Sequence, residues 1–229
     1  MTDENEPPSR TYPLYQAITT RHSSRDYLPT PVPPPQLRRA LALAAQHSPS
    51  NSNVQPWRLW VLSGGALRAL TAALAARAGS DEVPQIPALP PWAVPFRSHL
   101  GRTIYGEGWG IAREDHAAHR AAVLRNFEFF GAPVGAVVCM RDDLSSADSL
   151  SVGMYLQTLV LALRAEGIDS CVEVSIGGYP EAVRKAVGIP EDMIVICGIA
   201  IGFEDPASKV NTLSPERLGL EETTVLMSD

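Results

Sequence analysis

The sequence predicts an α/β or α+β fold, because helical and strand-like patterns alternate along the chain. The composition suits one sizeable globular core, since 45% of the 229 residues are hydrophobic and 19% are charged. The first strand-like run comes only after residue 56, and the chain has neither a Walker A motif nor a GxGxxG motif after a strand. These two observations argue against Rossmann and P-loop folds.

The individual elements are assigned from the spacing of apolar residues. Helices are expected at residues 14–20, 36–46, 66–78, 115–130, 148–166 and 180–187. Strands are expected at residues 57–62, 134–140, 170–174 and 193–201. Gly167 is expected to cap the helix at 148–166, and the chain is expected to be irregular after Gly202.

Three segments differ from this regular order. Residues 1–11 are acidic and rich in proline, which predicts a disordered N-terminal segment followed by a single domain at 12–229. Residues 79–95 form a proline-rich loop that is too long for a simple connector, so a functional lid is one interpretation. The helix at 148–166 is apolar almost all round, which predicts burial within the fold or between subunits.

Charge and hydropathy exclude several classes of protein. The net charge of −6 and the pI near 5.4 argue against nucleic-acid binding, which usually needs a basic face. The N-terminus lacks the apolar core of a signal peptide, and the most apolar stretch, 152–165, is too short to span a bilayer. We therefore expect a soluble, cytoplasmic protein with no membrane partner. Cys139, Cys171 and Cys197 lack close spacing and lie in apolar runs, so we expect buried, reduced thiols.

The first candidate binding segment is Arg-His-Ser-Ser-Arg-Asp-Tyr at residues 21–27. In an extended chain alternate side chains point the same way, so Arg21, Ser23 and Arg25 would project together. Two guanidinium groups and a hydroxyl form a good phosphate clamp. The alternative is a solvated basic turn after a helix.

The second candidate is Ser-Pro-Ser-Asn-Ser-Asn-Val-Gln-Pro-Trp at residues 48–57. Its Ser and Asn side chains can bond a polar ligand edge or a sugar chain. The alternative is a plain connector, because Ser, Asn and Pro are the commonest turn formers.

Other residue types give weaker signals. His116 and His119 stand at helical spacing, but no Cys or carboxylate is placed to complete a metal site, so we expect no metal. Five aromatic residues are candidates either for stacking on a planar substrate or for packing in the core: Trp92, Tyr105, Trp109, Phe127 and Tyr179.

Taken together, the two polar segments and the helix between them resemble the opening of the nitroreductase family. Members carry R-[RH]-S-x-[RK]-x-[FY], a helix, and then P-S-x-x-N-x-Q-P-W. The resemblance continues through Asn-Phe-Glu-Phe-Phe-Gly-Ala-Pro-Val at 126–134, Gly-Met-Tyr-Leu-Gln at 153–157 and Gly-Ile-Asp-Ser-Cys at 167–171. It covers about residues 14–220 and is weakest at 79–114. It implies a three-layer α+β fold with a mostly antiparallel central sheet, and a homodimer that exchanges its C-terminal tails.

The resemblance also implies FMN as the cofactor and assigns residues to it. Residues expected at the phosphate and ribityl chain are Arg21, His22, Ser23, Arg25 and Arg217. Residues expected to reach the flavin of the neighbouring subunit are Pro49, Ser50, Asn51 and Asn53. The backbone at Gly177 and Gly178 would lie near flavin N5. Many members carry an acidic residue where Gly177 stands, and the alternative for this pair is a simple strand-to-helix turn.

The implied activity is ping-pong transfer of electrons from NADH or NADPH, through FMN, to a planar nitroaromatic or quinone acceptor. No residue of the chain is assigned as a general base. Two alternatives stay open: another reaction on the same fold, such as reductive dehalogenation, flavin fragmentation or azoline oxidation, and a flavin-binding protein without turnover.

Overall fold

The computed structural model describes residues 14–228, so the prediction of disorder at 1–11 lies outside the described residues. Its sheet has four strands: Arg58–Ser63 (β1), Val134–Arg141 (β2), Asp169–Glu173 (β3) and Met193–Gly202 (β4). They lie in the order β1-β2-β4-β3, and every neighbouring pair is antiparallel. The central positions of β2 and β4 explain why both are apolar, because a strand buried on both faces has no polar side.

Eight α-helices surround this sheet in the described part of the chain. They are Leu14–Thr20 (α1), Pro34–His47 (α2), Gly64–Ala78 (α3), Val94–Gly101 (α4), His116–Leu124 (α5), Ser146–Ala165 (α6), Pro180–Val187 (α7) and Leu220–Thr223 (α8). The predicted helices at 14–20 and 180–187 are confirmed with the same bounds. Within residues 14–228, no helix combines the length and the hydropathy that a membrane crossing requires.

The helices form two layers because β2 alternates its side chains between the two faces of the sheet. Val137 and Cys139 pack in one apolar cluster with side chains of α3 and α7. Ala136 and Val138 pack in a second cluster with side chains of α2 and α6. The three-layer α+β architecture predicted from the family resemblance is therefore confirmed.

One helical region was not predicted. Residues 79–95 were predicted as a loop, but α4 begins at Val94 and continues into a π-helical turn, Arg102–Gly108. Pro95 lies in the first turn of α4, where proline is tolerated because its missing N–H would have no helical partner. The prolines that predicted a loop therefore end before the helix or lie in its first turn.

A second difference concerns residues 115–130, which were predicted as one helical stretch. The α-helix α5 ends at Leu124 and a 3-10 segment, Arg125–Gly131, follows. Within it Phe129 and Phe130 have φ of 51° and 52°, which bulky residues adopt only under strong constraint. Both rings are fully buried, so we attribute this backbone to core packing that overrides local helical preference.

The site lies where the N-terminal segment meets the edge of the sheet. Ser23 forms a parallel bridge with Ser170 of β3, and Tyr27 forms an antiparallel bridge with Glu204 beyond β4. The backbone N–H of Leu28 donates to the carbonyl oxygen of Phe203 at 2.9 Å. The segment predicted to be extended therefore runs along β3 and past the end of β4.

Candidate functional site

A cavity of about 500 Å³ opens beside this segment, and we call it the edge cavity. It is lined by Arg21, His22, Ser23, Arg25, Leu100, Leu213, Ser214, Pro215 and Arg217. All five residues that were predicted at a phosphate and ribityl chain therefore meet in one place. Arg217 reaches it from the C-terminal tail, far along the chain from the other four.

The guanidinium groups of the edge cavity have only carbonyl oxygens as hydrogen-bond acceptors. Arg25 Nη1 donates to the carbonyl oxygen of Ser23 at 3.1 Å, and Arg217 Nη1 donates to the carbonyl oxygens of Pro215 and Glu216 at 2.9 and 3.0 Å. Within residues 14–228, no carboxylate forms an ion pair with Arg21, Arg25 or Arg217. Three uncompensated positive charges around one cavity favour an anionic ligand.

Arg25 is held by Asn211, a buried residue that sequence reasoning missed. Asn211 Oδ1 accepts a hydrogen bond from the backbone N–H of Arg25 at 2.7 Å. Its Nδ2 donates to the carbonyl oxygens of Asp26 and Asp205 at 2.8 and 3.0 Å. One amide therefore ties the N-terminal segment to the C-terminal tail. No sequence pattern pointed to it, because it stands in a segment predicted to be irregular.

His22 has a structural partner as well as a place in the cavity wall. Its Nε2 lies 2.6 Å from Glu204 Oε2, and its Nδ1 lies 3.0 Å from the carbonyl oxygen of Thr20. The hydrogen bond to Glu204 raises the pKa of His22 although burial opposes the shift. Burial also disfavours charge on Glu204, but hydrogen bonds from His22 and Ser24 outweigh it and lower the pKa of that carboxyl. The hydrogen bond between the two side chains therefore favours a protonated His22 beside an ionised Glu204.

A second acidic residue near the cavity carries no hydrogen bond. Glu173 of β3 is 3% exposed, and neither of its carboxylate oxygens has a partner among the described residues. Burial raises the pKa of Glu173 well above its usual value, and the charge of Arg25 only partly opposes this. The buried hydroxyl of Tyr27 likewise has no partner within residues 14–228. This unpartnered carboxyl, which is close enough to feel the charge of Arg25, was not predicted.

The second polar segment does not line the edge cavity. Its Asn51–Asn53 stretch is a short 3-10 turn, and the backbone N–H of Asn51 donates to Ser151 Oγ of α6 at 3.1 Å. The Oγ of Ser50 accepts from the backbone N–H of Gln55 at 3.0 Å. Asn51 and Asn53 are exposed, and Ser50 and Pro49 stand at the start of the turn. Within one subunit, Pro49, Ser50, Asn51 and Asn53 are therefore separate from the arginine cluster.

Gly177 and Gly178 lie in a 3-10 turn, Val174–Gly178, that follows β3 one residue earlier than predicted. A Cβ at Gly177 would lie 2.8 Å from the carbonyl oxygen of Ile196. A Cβ at Gly178 would lie 2.9 Å from Pro84 Cβ, and the Gly178 carbonyl accepts from the Gln85 N–H at 2.8 Å. Both glycines are thus required by close packing within the chain itself, and neither lines the edge cavity.

The remaining candidates are mainly structural. Phe127 and Tyr179 are buried and pack edge to face with ring centroids 5.4 Å apart, which favours the core interpretation. All three cysteines are free and buried, as predicted, and burial raises the pKa of the Cys171 thiol to about 12. Within residues 14–228, no group of three or more His, Cys, Asp or Glu side chains is arranged to hold a metal ion.

Comparison with protein-family models matches residues 18–203 to the nitroreductase family. A chloronitrobenzene nitroreductase from Comamonas testosteroni is 34% identical over 220 residues, which cover 93% of this chain and 96% of the relative. A 4-nitrobenzoate reductase from Nocardioides sp. is 34% identical over 210 residues, 86% of this chain and 85% of the relative. The chain therefore belongs to the nitroreductase family.

Solved structures agree with this assignment. The FMN- and NADPH-dependent nitroreductase NfnB from Sphigopyxis sp. strain HMH superposes with a TM-score of 0.90 at 30% identity, covering 95% of this chain and all of that one. The FMN-dependent nitroreductase NfnB from Mycobacterium smegmatis, solved with NADPH, superposes with a TM-score of 0.87 at 31% identity. That alignment covers 93% of this chain and 97% of the other.

Proposed function

We propose that the chain is an FMN-dependent oxidoreductase that uses NADH or NADPH to reduce nitroaromatic or quinone acceptors. The observation that carries this proposal is the edge cavity, where Arg21, Arg25 and Arg217 surround one space without a carboxylate partner among the described residues. The names of the relatives, which include nitroreductases and 4-nitrobenzoate reductases, support the same reaction class.

The donor set fits the phosphate of FMN. Guanidinium groups bind phosphate in a planar, bidentate geometry, and three of them exceed the charge of one phosphate dianion. The hydroxyl of Ser23 adds a donor on the same wall, and His22 adds a ring whose pKa is raised. We assign the phosphate and ribityl chain to Arg21, Ser23 and Arg25, with Arg217 completing the clamp, and we assign to Arg25 the N1/O2 edge of the flavin as well.

When bound, FMN supplies two-electron chemistry between the nicotinamide and the acceptor. The chain itself binds and orients both reactants in turn at one face, so we expect ping-pong kinetics. We propose that the turn at Gly177 and Gly178 supplies a backbone N–H that donates to flavin N5, as the family resemblance implies. No side chain is required as a general base.

We further propose that the functional unit is a homodimer. Exposed apolar side chains on α1, α6 and the C-terminal tail support it, since Leu14 is 68%, Leu150 69% and Leu226 80% exposed. A soluble monomer rarely leaves so many large apolar groups in water. In the dimer the segment with Pro49, Ser50, Asn51 and Asn53 reaches the partner's flavin, and the tails exchange. We place the protein in the cytoplasm, where its three free thiols stay reduced.

The activity is tested on purified protein. We expect a yellow protein that releases about one FMN per subunit on heating, and that oxidises NADH or NADPH in the presence of menadione or a nitroarene. Initial rates should give parallel double-reciprocal plots. FAD, or no flavin after incubation with FMN, would refute the proposed cofactor. FMN binding without turnover of any acceptor would favour a flavin-binding protein, and turnover of halogenated substrates alone would favour reductive dehalogenation.

The dimer is tested by light scattering across a dilution series of FMN-loaded protein. Obligate interfaces bury on the order of 2,000–5,000 Å², so the dimer should persist at nanomolar concentration. A matched pair of variants locates the interface: Leu150→Glu should dissociate it, whereas Val83→Glu, on the exposed loop before α4, should not. A stable monomer that holds a full complement of FMN would contradict the exchanged-loop arrangement.

A further inference from the structure

A second cavity of about 670 Å³ lies on α4, the π-helical turn and α5, and we call it the helix cavity. Its volume falls in the roughly 300–1,000 Å³ range of ligand pockets. Its basic and aromatic lining residues are Arg97, Arg102, Tyr105, Arg113, His116 and His119. It shares none of the arginines of the edge cavity, and nothing in the proposed cofactor site uses it.

The helix cavity is strongly basic although the whole chain is acidic. Three arginines line it and no acidic residue does, in a protein with a net charge of −6. Across residues 14–228, the guanidinium groups of Arg97, Arg102 and Arg113 have no ion pair and no hydrogen bond. The neighbouring carboxylate of Asp115 is already engaged, because it accepts the backbone N–H of Ala118 at 2.9 Å as the N-cap of α5.

The local backbone explains how these charges converge. Positions 97, 101 and 105, and positions 98 and 102, are four residues apart, so they lie on one face of α4 and its π-helical extension. Irregular π-helical turns occur frequently at functional sites. Leu100 stands on another side of the same helix and lines the edge cavity. One helix therefore separates the two cavities.

Tyr105 and His119 give the helix cavity its aromatic surface. Their ring centroids lie 4.3 Å apart and the ring planes are tilted by 52°, so the two rings form an angled aromatic corner. A planar ring placed against Tyr105 or His119 would lie in the same cavity as the guanidinium groups of Arg97, Arg102 and Arg113.

We propose that the helix cavity is an anion-recognition site for the electron acceptor, and that it selects aromatic substrates with a carboxylate group on the ring. Arg97, Arg102 and Arg113 bind the carboxylate, and Tyr105 with His119 supports the ring. This inference rests on the proposed reductase activity, because it names the class of acceptor for that reaction. The 2′-phosphate of NADPH has similar chemistry, so the test separates the two sources.

The test compares a charged acceptor with its neutral ester, 4-nitrobenzoate and methyl 4-nitrobenzoate, in FMN-loaded wild-type protein and in Arg102→Gln, Arg97→Gln and Arg38→Gln. Arg38 is an exposed arginine of α2 outside both cavities and serves as the matched control. The readout is the ratio of kcat/KM for the acid to kcat/KM for the ester within each protein. Dividing this ratio by the wild-type ratio removes the intrinsic difference in reactivity between the acceptors.

We expect Arg102→Gln and Arg97→Gln each to lower this ratio about tenfold, the usual worth of one charge-assisted hydrogen bond. The ester has no carboxylate for these arginines and should therefore lose much less kcat/KM than the acid, and the preference between NADPH and NADH should not change. The Arg38→Gln ratio should equal that of wild type. An unchanged ratio in both cavity variants would overturn the proposal. A loss confined to NADPH would also overturn it, because the site would then belong to the nicotinamide cofactor.

Equilibrium binding separates a failure of this inference from a failure of the reductase proposal. If the wild-type protein reduces neither acceptor and does not reduce menadione, the reductase proposal fails, and benzoate binding to FMN-loaded protein then tests the helix cavity alone. Calorimetry should show that wild type and Arg38→Gln bind benzoate, that benzamide binds more weakly, and that Arg102→Gln weakens benzoate binding about tenfold. Equal affinities for benzoate and benzamide would contradict an anion site.

Discussion

Replacement of Asn211 by alanine should remove the hydrogen bonds that hold the backbone of Arg25 against the C-terminal tail. In the folded protein this side chain is 5% exposed and makes three hydrogen bonds, of 2.7, 2.8 and 3.0 Å, to backbone groups. Each such bond contributes about 1 kcal/mol net, and an unsatisfied buried partner costs about 1–3 kcal/mol. We therefore expect Asn211→Ala to lower the free energy of unfolding by about 3 kcal/mol or more.

For a protein of this size, about 1 kcal/mol corresponds to roughly 2–4 °C in melting temperature, so Asn211→Ala should lose about 6–12 °C. The measurements are urea denaturation of the FMN-free protein and FMN titration at low temperature, where the variant is still folded. FMN should bind more weakly, because the backbone of Arg25 is no longer fixed and its ordering adds to the cost of binding.

Asn126→Ala is the matched control. Asn126 donates a single hydrogen bond, at 2.7 Å, to the carbonyl oxygen of Val123 at the exposed end of α5. Its loss should cost about 1 kcal/mol at most and leave FMN affinity unchanged. If Asn211→Ala loses no more stability than Asn126→Ala and binds FMN with wild-type affinity, Asn211 does not join the two segments as described.

Three further outcomes are expected. Arg21→Ala should raise the FMN dissociation constant about tenfold or more, while Arg38→Ala leaves it unchanged in the same titration; equal values would remove Arg21 from the phosphate site. Gly177→Ala should lower the melting temperature of FMN-free protein, because its Cβ meets sheet backbone at 2.8 Å, whereas Gly65→Ala, whose Cβ would meet only the tip of the Arg68 side chain at 3.8 Å, should not; equal melting curves would count against the packing. His22→Gln should destabilise most near pH 6. Because the folded-state pKa of His22 is raised, the stabilisation from its pairing is complete below pH 6.5 and is lost as the pH rises through that folded-state pKa. Because the folded-state pKa of Glu204 is lowered, the pair persists as the pH falls to about 4.5. A stability loss that grows from about pH 6 to pH 9 in urea denaturation would be the wrong sign.

The close packing at Gly177 is visible only in the folded chain. The carbonyl oxygens of Ile196 and Val195 lie within 2.8 and 3.1 Å of the Cβ position, so a side chain there would act on the fold itself. Sequence alone does not show this contact, because the turn packs against β4, which lies next to β3 only once the sheet has formed.

The parts of the site that depend on local pattern were predictable from sequence. Alternation in an extended segment places Arg21, Ser23 and Arg25 together, and the structure has all three on one cavity wall. Arg217 was predicted only through family resemblance, because no local rule connects a tail arginine to residues near the N-terminus. The strands were predictable to within a residue or two, since strongly apolar runs such as β2 and β4 leave few alternatives.

The parts that depend on contacts between distant segments were not predictable. Asn211 and Glu204 contact the N-terminal segment through side chains more than 180 positions away in sequence, and neither belongs to a periodic pattern. The backbone of Phe129 and Phe130 adopts positive φ because their rings fill the core. The π-helical turn that shapes the helix cavity continues a helix with Pro95 in its first turn, whereas from sequence alone proline there indicates a loop.

The two cavities differ in how their arginines are brought together. In the edge cavity, the arginines come from separate segments and are brought together by Asn211 and the sheet edge, so that site forms only with the whole fold. In the helix cavity, Arg97, Arg102 and Arg113 lie within 17 consecutive residues, on α4, the π-helical turn and the segment before α5. Substitutions there change charge without disturbing the core, since all three side chains are exposed. Acceptor preference can therefore vary independently of cofactor binding, with α4 as the shared wall between the two.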